Sequence, residues 1–280
     1  MNENTPHQSI PAILGYIEPH ADLLNTPSVG QLLYKIMTIE DLLSSIMGNY
    51  LHFNRVDRYT DDLNDGQQPP RDRQVSAGVK FEKAPNFSMA DYYDQSRART
   101  YACCFSLENS DYIWSNYANN SEKGKVCIVF DFGKLRTMLN RALQPGNTAL
   151  EYGGNRCRQI FSIDYGVIEY VEWDKHQANT ECFANPIRYT YVKDKNKFSV
   201  EKEFRIALSA VGMGKFVLNG STINFPDSLH MDFDFKAANA SGTIQQILCA
   251  TDCDIGFLYA ELHKLHIVPR EDSDQLPHSK

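Results

Sequence analysis

The stretch Glu201-Lys202-Glu203-Phe204-Arg205 carries the residue types best suited to chemistry. Read as an extended strand, it puts Glu201, Glu203 and Arg205 on one face and Phe204 and Ile206 on the other. Two carboxylates beside a guanidinium make either a polar site or a surface ladder of ion pairs, and the local pattern leaves both open. A second acidic group, Asp57, Asp61, Asp62 and Asp65, falls in the polar segment 57–75, a long loop carrying Pro69-Pro70. Carboxylate oxygens spaced in this way could bind a divalent ion, and a solvated acidic loop would look the same.

Other arrangements fail on geometry. Cys249, Cys253, His263 and His266 are spaced C-x3-C-x9-H-x2-H, which on paper suits zinc. If 252–264 is one helix, Cys253 and His263 are about 15 Å apart along its axis, too far to share an ion. Gly153-Gly154 and Gly212-x-Gly214 fit neither a phosphate loop nor a dinucleotide fingerprint. No G-x-S-x-G is present, and no histidine lies near Cys104 in sequence, so Cys104 reads as a core residue rather than a nucleophile. No metal is expected.

The elements that must position these residues follow from periodicity. LLYKI suits a strand, then Thr38 caps a helix carrying Ile39, Leu42, Leu43 and Ile46, with Gly48 as its stop. YLHFN is a second strand, SMADYYDQSRAR a helix and YACCFS a buried strand. Ser110 and Asp111 open a helix with Ile113, Trp114, Tyr117 and Ala118. VCIVFDF is a strand, GKLRTMLNRAL a helix, and FSIDYGVIEYVEW one or two strands. EKEFRIALSA and TIQQILCA are further strands, followed by the 252–264 helix and a short strand at LHIVP. Strands and short helices interleave without a βαβ rhythm. The expected fold is α+β, a single domain over 31–270 with mixed, mostly antiparallel sheets, a loosely ordered N-terminal arm over 1–30 and a flexible tail over 271–280.

Composition bounds the function. With 28 Lys plus Arg against 35 Asp plus Glu, the 280-residue chain carries a net charge of −7, which argues against binding nucleic acid by bulk charge. No apolar run is long enough for a membrane span, and MNENTPHQSI lacks a basic start followed by an apolar stretch. Seven cysteines, mostly in apolar runs, suit free thiols in a reducing compartment. These features predict a cytoplasmic protein with no membrane partner.

Taken in order, LLYKI with its helix, YLHFN with Leu63-Asn64-Asp65, YACCFSLENSDYIWSNYA, GKVCIVFDF, YGVIEYVEW and KFSVEKEFR resemble the bacterial domain of unknown function 2971 family, over roughly residues 31 to 270. Gly66 stands where that family usually has proline. The family name supplies no activity; its members have the reputation of accessory proteins in bacterial defence and mobile elements. The layout is also similar, more distantly, to the ADP-ribosyltransferases, with a polar residue on the first strand, a serine ending a central strand and E-x-E on a late strand. That resemblance implies NAD as a substrate. It gives Tyr34 or Lys35 the role of holding NAD, Ser106 that of supporting the nicotinamide ribose, Glu203 that of stabilising the cationic transition state and Glu201 that of orienting the acceptor. Trp114 and Tyr117 would stack on a ring or form the apolar face of a core helix, and Arg205 would help hold the ligand. The first strand has neither His nor Arg, and Lys35 is no equivalent of Arg.

Three classes of function follow. The first is an NAD-dependent ADP-ribosyltransferase-like protein that modifies a protein or nucleic acid in bacterial defence or toxicity. It requires Tyr34, Ser106 and Glu203 to share one cleft. The second is a metal-dependent nuclease or phosphotransfer enzyme built on Asp61, Asp62, Asp65, Glu201 and Glu203. The third is a non-catalytic module that binds a nucleotide or a partner.

Overall fold

The computed structural model describes residues 11–12, 15–16, 24–144, 146–152, 154–157, 161–177, 186–210, 216–218 and 221–267. The expected tail over 271–280, most of the arm and the end of LHIVP lie outside them. Of the arm, Leu24 packs with Ile168, Ile187, Tyr191 and Ala207, and the Asn25 carbonyl accepts from the Val167 amide.

The main elements are β1 (Leu32–Thr38), α1 (Ile39–Gly48), β2 (Tyr50–Arg55), α2 (Pro70–Gly78), α3 (Met89–Arg97), β3 (Thr100–Ser106), α4 (Asp111–Asn116), β4 (Lys125–Asp131), α5 (Phe132–Ala142), β5 (Leu150–Tyr152), β6 (Asn155–Cys157), β7 (Phe161–Val167), β8 (Glu169–Val171), β9 (Val192–Asp194), β10 (Glu203–Ala210), β11 (Ser228–Asp232), α6 (Phe235–Ser241), β12 (Ile244–Cys249) and α7 (Ile255–Lys264). The fold is α+β. Among the described residues ten strands form one antiparallel sheet in the order β6-β5-β11-β2-β3-β1-β4-β12, with β10 branching from β3 and β7 pairing with β10. The small β8–β9 pair is parallel.

The branch at β3 makes the cleft. β10 pairs with β3 along its length, from Glu203 opposite Ser106 to Ser209 opposite Thr100. The other edge of β3 is shared. β1 meets it at Tyr34 opposite Ser106, and β2 meets it at Asn54 opposite Ala102 and Arg55 opposite Tyr101. Between these points β1 and β2 part, and among the described residues no strand pairs with Cys103, Cys104 or Phe105 on that edge. An unpaired backbone carbonyl needs another donor. Lys35 Nζ supplies one to the Cys104 carbonyl at 3.2 Å, and the Tyr59 hydroxyl supplies one to Ala102 at 3.2 Å.

Alternation along β3 and β10 separates core from cleft. Tyr101, Cys103, Phe105, Phe204, Ile206 and Leu208 enter the main apolar core, with Leu33, Phe130, Phe132 and the α1 residues Ile39, Leu42, Leu43 and Ile46. Burying each such side chain contributes roughly 1.5–3 kcal/mol. Ala102, Cys104, Ser106, Glu203 and Arg205 face the other way.

Most elements match their sequence signals, with instructive differences. Thr38 caps α1 by accepting from the Asp41 amide, but the helix runs through Gly48 and Asn49 takes the left-handed turn at φ 50°. Gly48 is needed for another reason: a Cβ there would come within 2.6 Å of the Tyr50 ring. The expected 57–75 loop is cut short because α2 starts at Pro70, where a fixed φ and a missing N–H suit the first helical position. Among the described residues no helix is long and apolar enough to cross a membrane.

Candidate functional site

A cleft of about 560 Å³ opens where β1 and β2 diverge. Its walls are β1, β2 and the cleft face of β3, α1 contributes Asp41 and Ser45, and the loop after β2 contributes Tyr59, Asp61, Asp62 and Asp65. At the β10 end stand Lys193, Glu201, Glu203 and Arg205, with Tyr117 over them.

These groups form one buried network. Arg205, 2% exposed, binds Asp65 through Nη1–Oδ1 at 2.6 Å and Nη2–Oδ2 at 2.5 Å. Its Nε donates to Glu203 Oε1 at 2.6 Å, and Nη1 also donates to the Thr190 carbonyl. Lys193 Nζ donates to Glu201 Oε2 at 2.8 Å and to Glu203 Oε2 at 3.0 Å. The Tyr117 hydroxyl donates to Glu201 Oε1 at 2.6 Å. The Glu203 amide donates to the Tyr170 hydroxyl, and the Tyr59 ring lies under Arg205. Buried charges persist only when paired in this way.

The two glutamates end in opposite electrostatic states. Burial by itself raises a carboxyl pKa. At Glu203 the charges of Arg205 and Lys193 outweigh burial and hold the carboxyl well below the usual range. At Glu201 burial dominates, Lys193 offsets part of it, and the neighbouring Glu203 charge adds to it, so the pKa is raised. Burial and the Glu201 charge push the Tyr117 phenol upward, so it stays a donor. Carboxyls driven apart by their surroundings are the usual basis for dividing acid, base and anion roles.

Tyr34, Ser106 and Glu203 occupy one row across three adjacent strands, each outer residue the direct partner of Ser106. All three line the cleft. Ser106 Oγ donates to the Glu201 carbonyl at 2.8 Å and accepts from the Glu108 amide, so it also shapes the turn after β3. Lys35 and Tyr34 lie on opposite faces of β1. Lys35 packs over the core residue Phe105 and enters the split from that side. Trp114 is not among the cleft-lining residues; its indole donates to Asn109 Oδ1 at 2.7 Å.

Two expectations are corrected and one open alternative is closed. Glu201 does not belong to the late strand. It ends a 3-10 turn, Lys202 follows at φ 46°, and β10 begins at Glu203. The charges at 201–205 are not a surface ladder, since Glu201, Glu203 and Arg205 are all buried. Tyr117 is no part of a core helix, because α4 ends at Asn116 and the chain turns out to carry its hydroxyl to Glu201. The acidic loop and the late strand do meet, with Arg205 between them. Among the described residues no group of three or more His, Cys, Asp or Glu side chains is arranged to hold a metal.

Lys193, Tyr59 and Tyr170 were not singled out from the sequence. The run Tyr189-Thr190-Tyr191-Val192 before Lys193 is β-favouring, and it was the available signal for β9.

Residues 113–206 match a family described as "Protein of unknown function (DUF2971)". That segment contains Tyr117, Lys193, Glu201, Glu203 and Arg205; Tyr34, Asp65 and Ser106 precede it. No curated protein and no solved structure matches the chain.

Proposed function

We propose that the cleft binds NAD and cleaves its nicotinamide–ribose bond, passing ADP-ribose to a macromolecular acceptor. The observation that carries this reading is the row Tyr34–Ser106–Glu203 across three adjacent strands at the split. Cleaving the bond develops an oxocarbenium-like cation, and a fixed, ionised carboxylate in a water-poor cleft stabilises it. Glu203 has that character: it is buried, ionised and locked in place by Arg205 and Lys193. Glu201, more readily protonated, takes the proton of the acceptor nucleophile, with Tyr117 fixing its orientation. Tyr34 offers its ring to the nicotinamide.

One observation favours a second reading, a dinucleotide-binding module without turnover. Both Glu203 oxygens are already engaged by cations, which tempers their field at the reacting carbon. Titrating NAD while following melting temperature and free nicotinamide separates the two. Stabilisation with nicotinamide release supports the transferase, and stabilisation alone supports the module. No stabilisation of the wild type, or stabilisation undiminished in Tyr34→Ala, would sink both.

A further inference from the structure

Among the described residues that line the cleft, three are permanent cations, and all are committed. Arg205 is held by Asp65, Glu203 and the Thr190 carbonyl, Lys193 by Glu201 and Glu203, and Lys35 by the Cys104 carbonyl. A ligand bearing a diphosphate must therefore find its positive partner elsewhere. The β2 wall offers one. Tyr50, His52 and Asn54 alternate toward the cleft, while Leu51 and Phe53 are buried in the core behind them. His52 is the remaining basic side chain among the lining residues.

Its surroundings leave it ready for an anion. His52 Nε2 lies 2.8 Å from Asn54 Oδ1, so Nε2 carries the hydrogen and Nδ1 is left facing no hydrogen-bond partner among the described residues. His230 of β11 is its direct cross-strand partner, with ring centroids 5.2 Å apart. His230 in turn stacks on Tyr50 at 3.8 Å. Burial and the neighbouring His52 lower the His230 pKa. Behind His230 stands Glu151 of β5, and Asp232 is tied to Arg156. Asp41, Asp61 and Asp62 line other parts of the cleft.

We propose that the Tyr50–His52–Asn54 wall receives the diphosphate of the dinucleotide, with protonated His52 as its cation. This rests on the NAD reading and assigns the anionic half of the ligand to the wall remote from Glu201 and Glu203. Histidine is the side chain that ordinarily gains its proton between pH 8 and 5, so affinity for the ligand should rise as pH falls through that window.

The test is calorimetric titration with ADP-ribose, which keeps the diphosphate and lacks nicotinamide, from about pH 5.5 to about pH 8. A charge-assisted hydrogen bond predicts wild-type affinity about tenfold tighter at the acid end. His52→Gln, which keeps a donor for Asn54, should lose the slope, and His230→Gln should keep it. An NMR titration of the wild-type His52 ring, with and without ADP-ribose, reads the same coupling without a variant: the ring should protonate at higher pH in the complex. ADP-ribose binding that is independent of pH, or a slope kept in His52→Gln, overturns the assignment and leaves the NAD reading standing. No ADP-ribose binding at any pH overturns both.

Discussion

Arg205 grips both carboxylate oxygens of Asp65, joining the late strand to a loop 140 residues earlier in the chain. The pair is buried on both sides, and Glu203 shares the guanidinium. Removing one partner leaves uncompensated charge in the interior. Arg205→Met should therefore destabilise the protein by about 3–5 kcal/mol in urea unfolding. Adding Asp65→Asn and Glu203→Gln to it should recover part of the loss. A loss under about 1 kcal/mol, typical of exposed pairs, would show that Arg205 does not anchor the buried network.

The two glutamates predict opposite pH behaviour. Glu203 titrates lower folded than unfolded, so its stabilisation is present above the unfolded value near about 4.3 and is lost as pH falls through the folded value. Glu203→Gln should flatten the acid limb of stability against pH. Glu201 titrates higher folded than unfolded, so its contribution is full below about 4.3 and is lost as pH rises through the folded value. The stability of Glu201→Gln relative to wild type should then improve as pH rises from about 4 to about 7. Parallel acid limbs for wild type and Glu203→Gln would contradict the first assignment, and a constant offset of Glu201→Gln the second.

Lys35 acts as a structural donor in the split. Lys35→Met keeps much of its volume over Phe105 and removes the hydrogen bond to the Cys104 carbonyl. An unsatisfied carbonyl at that edge should lower stability by about 1–3 kcal/mol. Backbone amide exchange along β3 should speed up in the variant. Unchanged stability and exchange would mean that water replaces the lysine freely.

Thiol reactivity provides a further check. Burial raises the Cys103 and Cys104 thiols, and raises Cys127 to about 12. All three should resist alkylation in the native protein at neutral pH and react once it is unfolded, as mass spectrometry would record. Rapid native labelling of Cys104 would reopen its reading as a nucleophile.

Most of the longer strands and most helices were legible because their apolar residues repeat strongly, as in α1 and along Tyr101–Phe105, whereas the short β5, β6 and β9 were not expected. The shared face of Glu203 and Arg205 was legible for the same reason. Their burial was not: a charged face reads alike on a surface and in an interior until its partners are known, and Asp65 and Lys193 come from distant segments. β11 was missed although Leu229 and Met231 alternate inward, because its other residues are polar. α2 was hidden by Pro69-Pro70 and by its lack of an apolar face. The split itself has no local signature, since it arises from where two strands meet a third.

The most direct measurement is the initial rate of nicotinamide release from NAD by wild type and by Glu203→Gln, each shown to be folded by its melting transition. The NAD reading predicts release by wild type and at least about a hundredfold loss in the variant, the scale seen when a group that stabilises transition-state charge is removed. Equal rates in the two proteins, or no release by folded wild type with or without a cell lysate as acceptor, would contradict it.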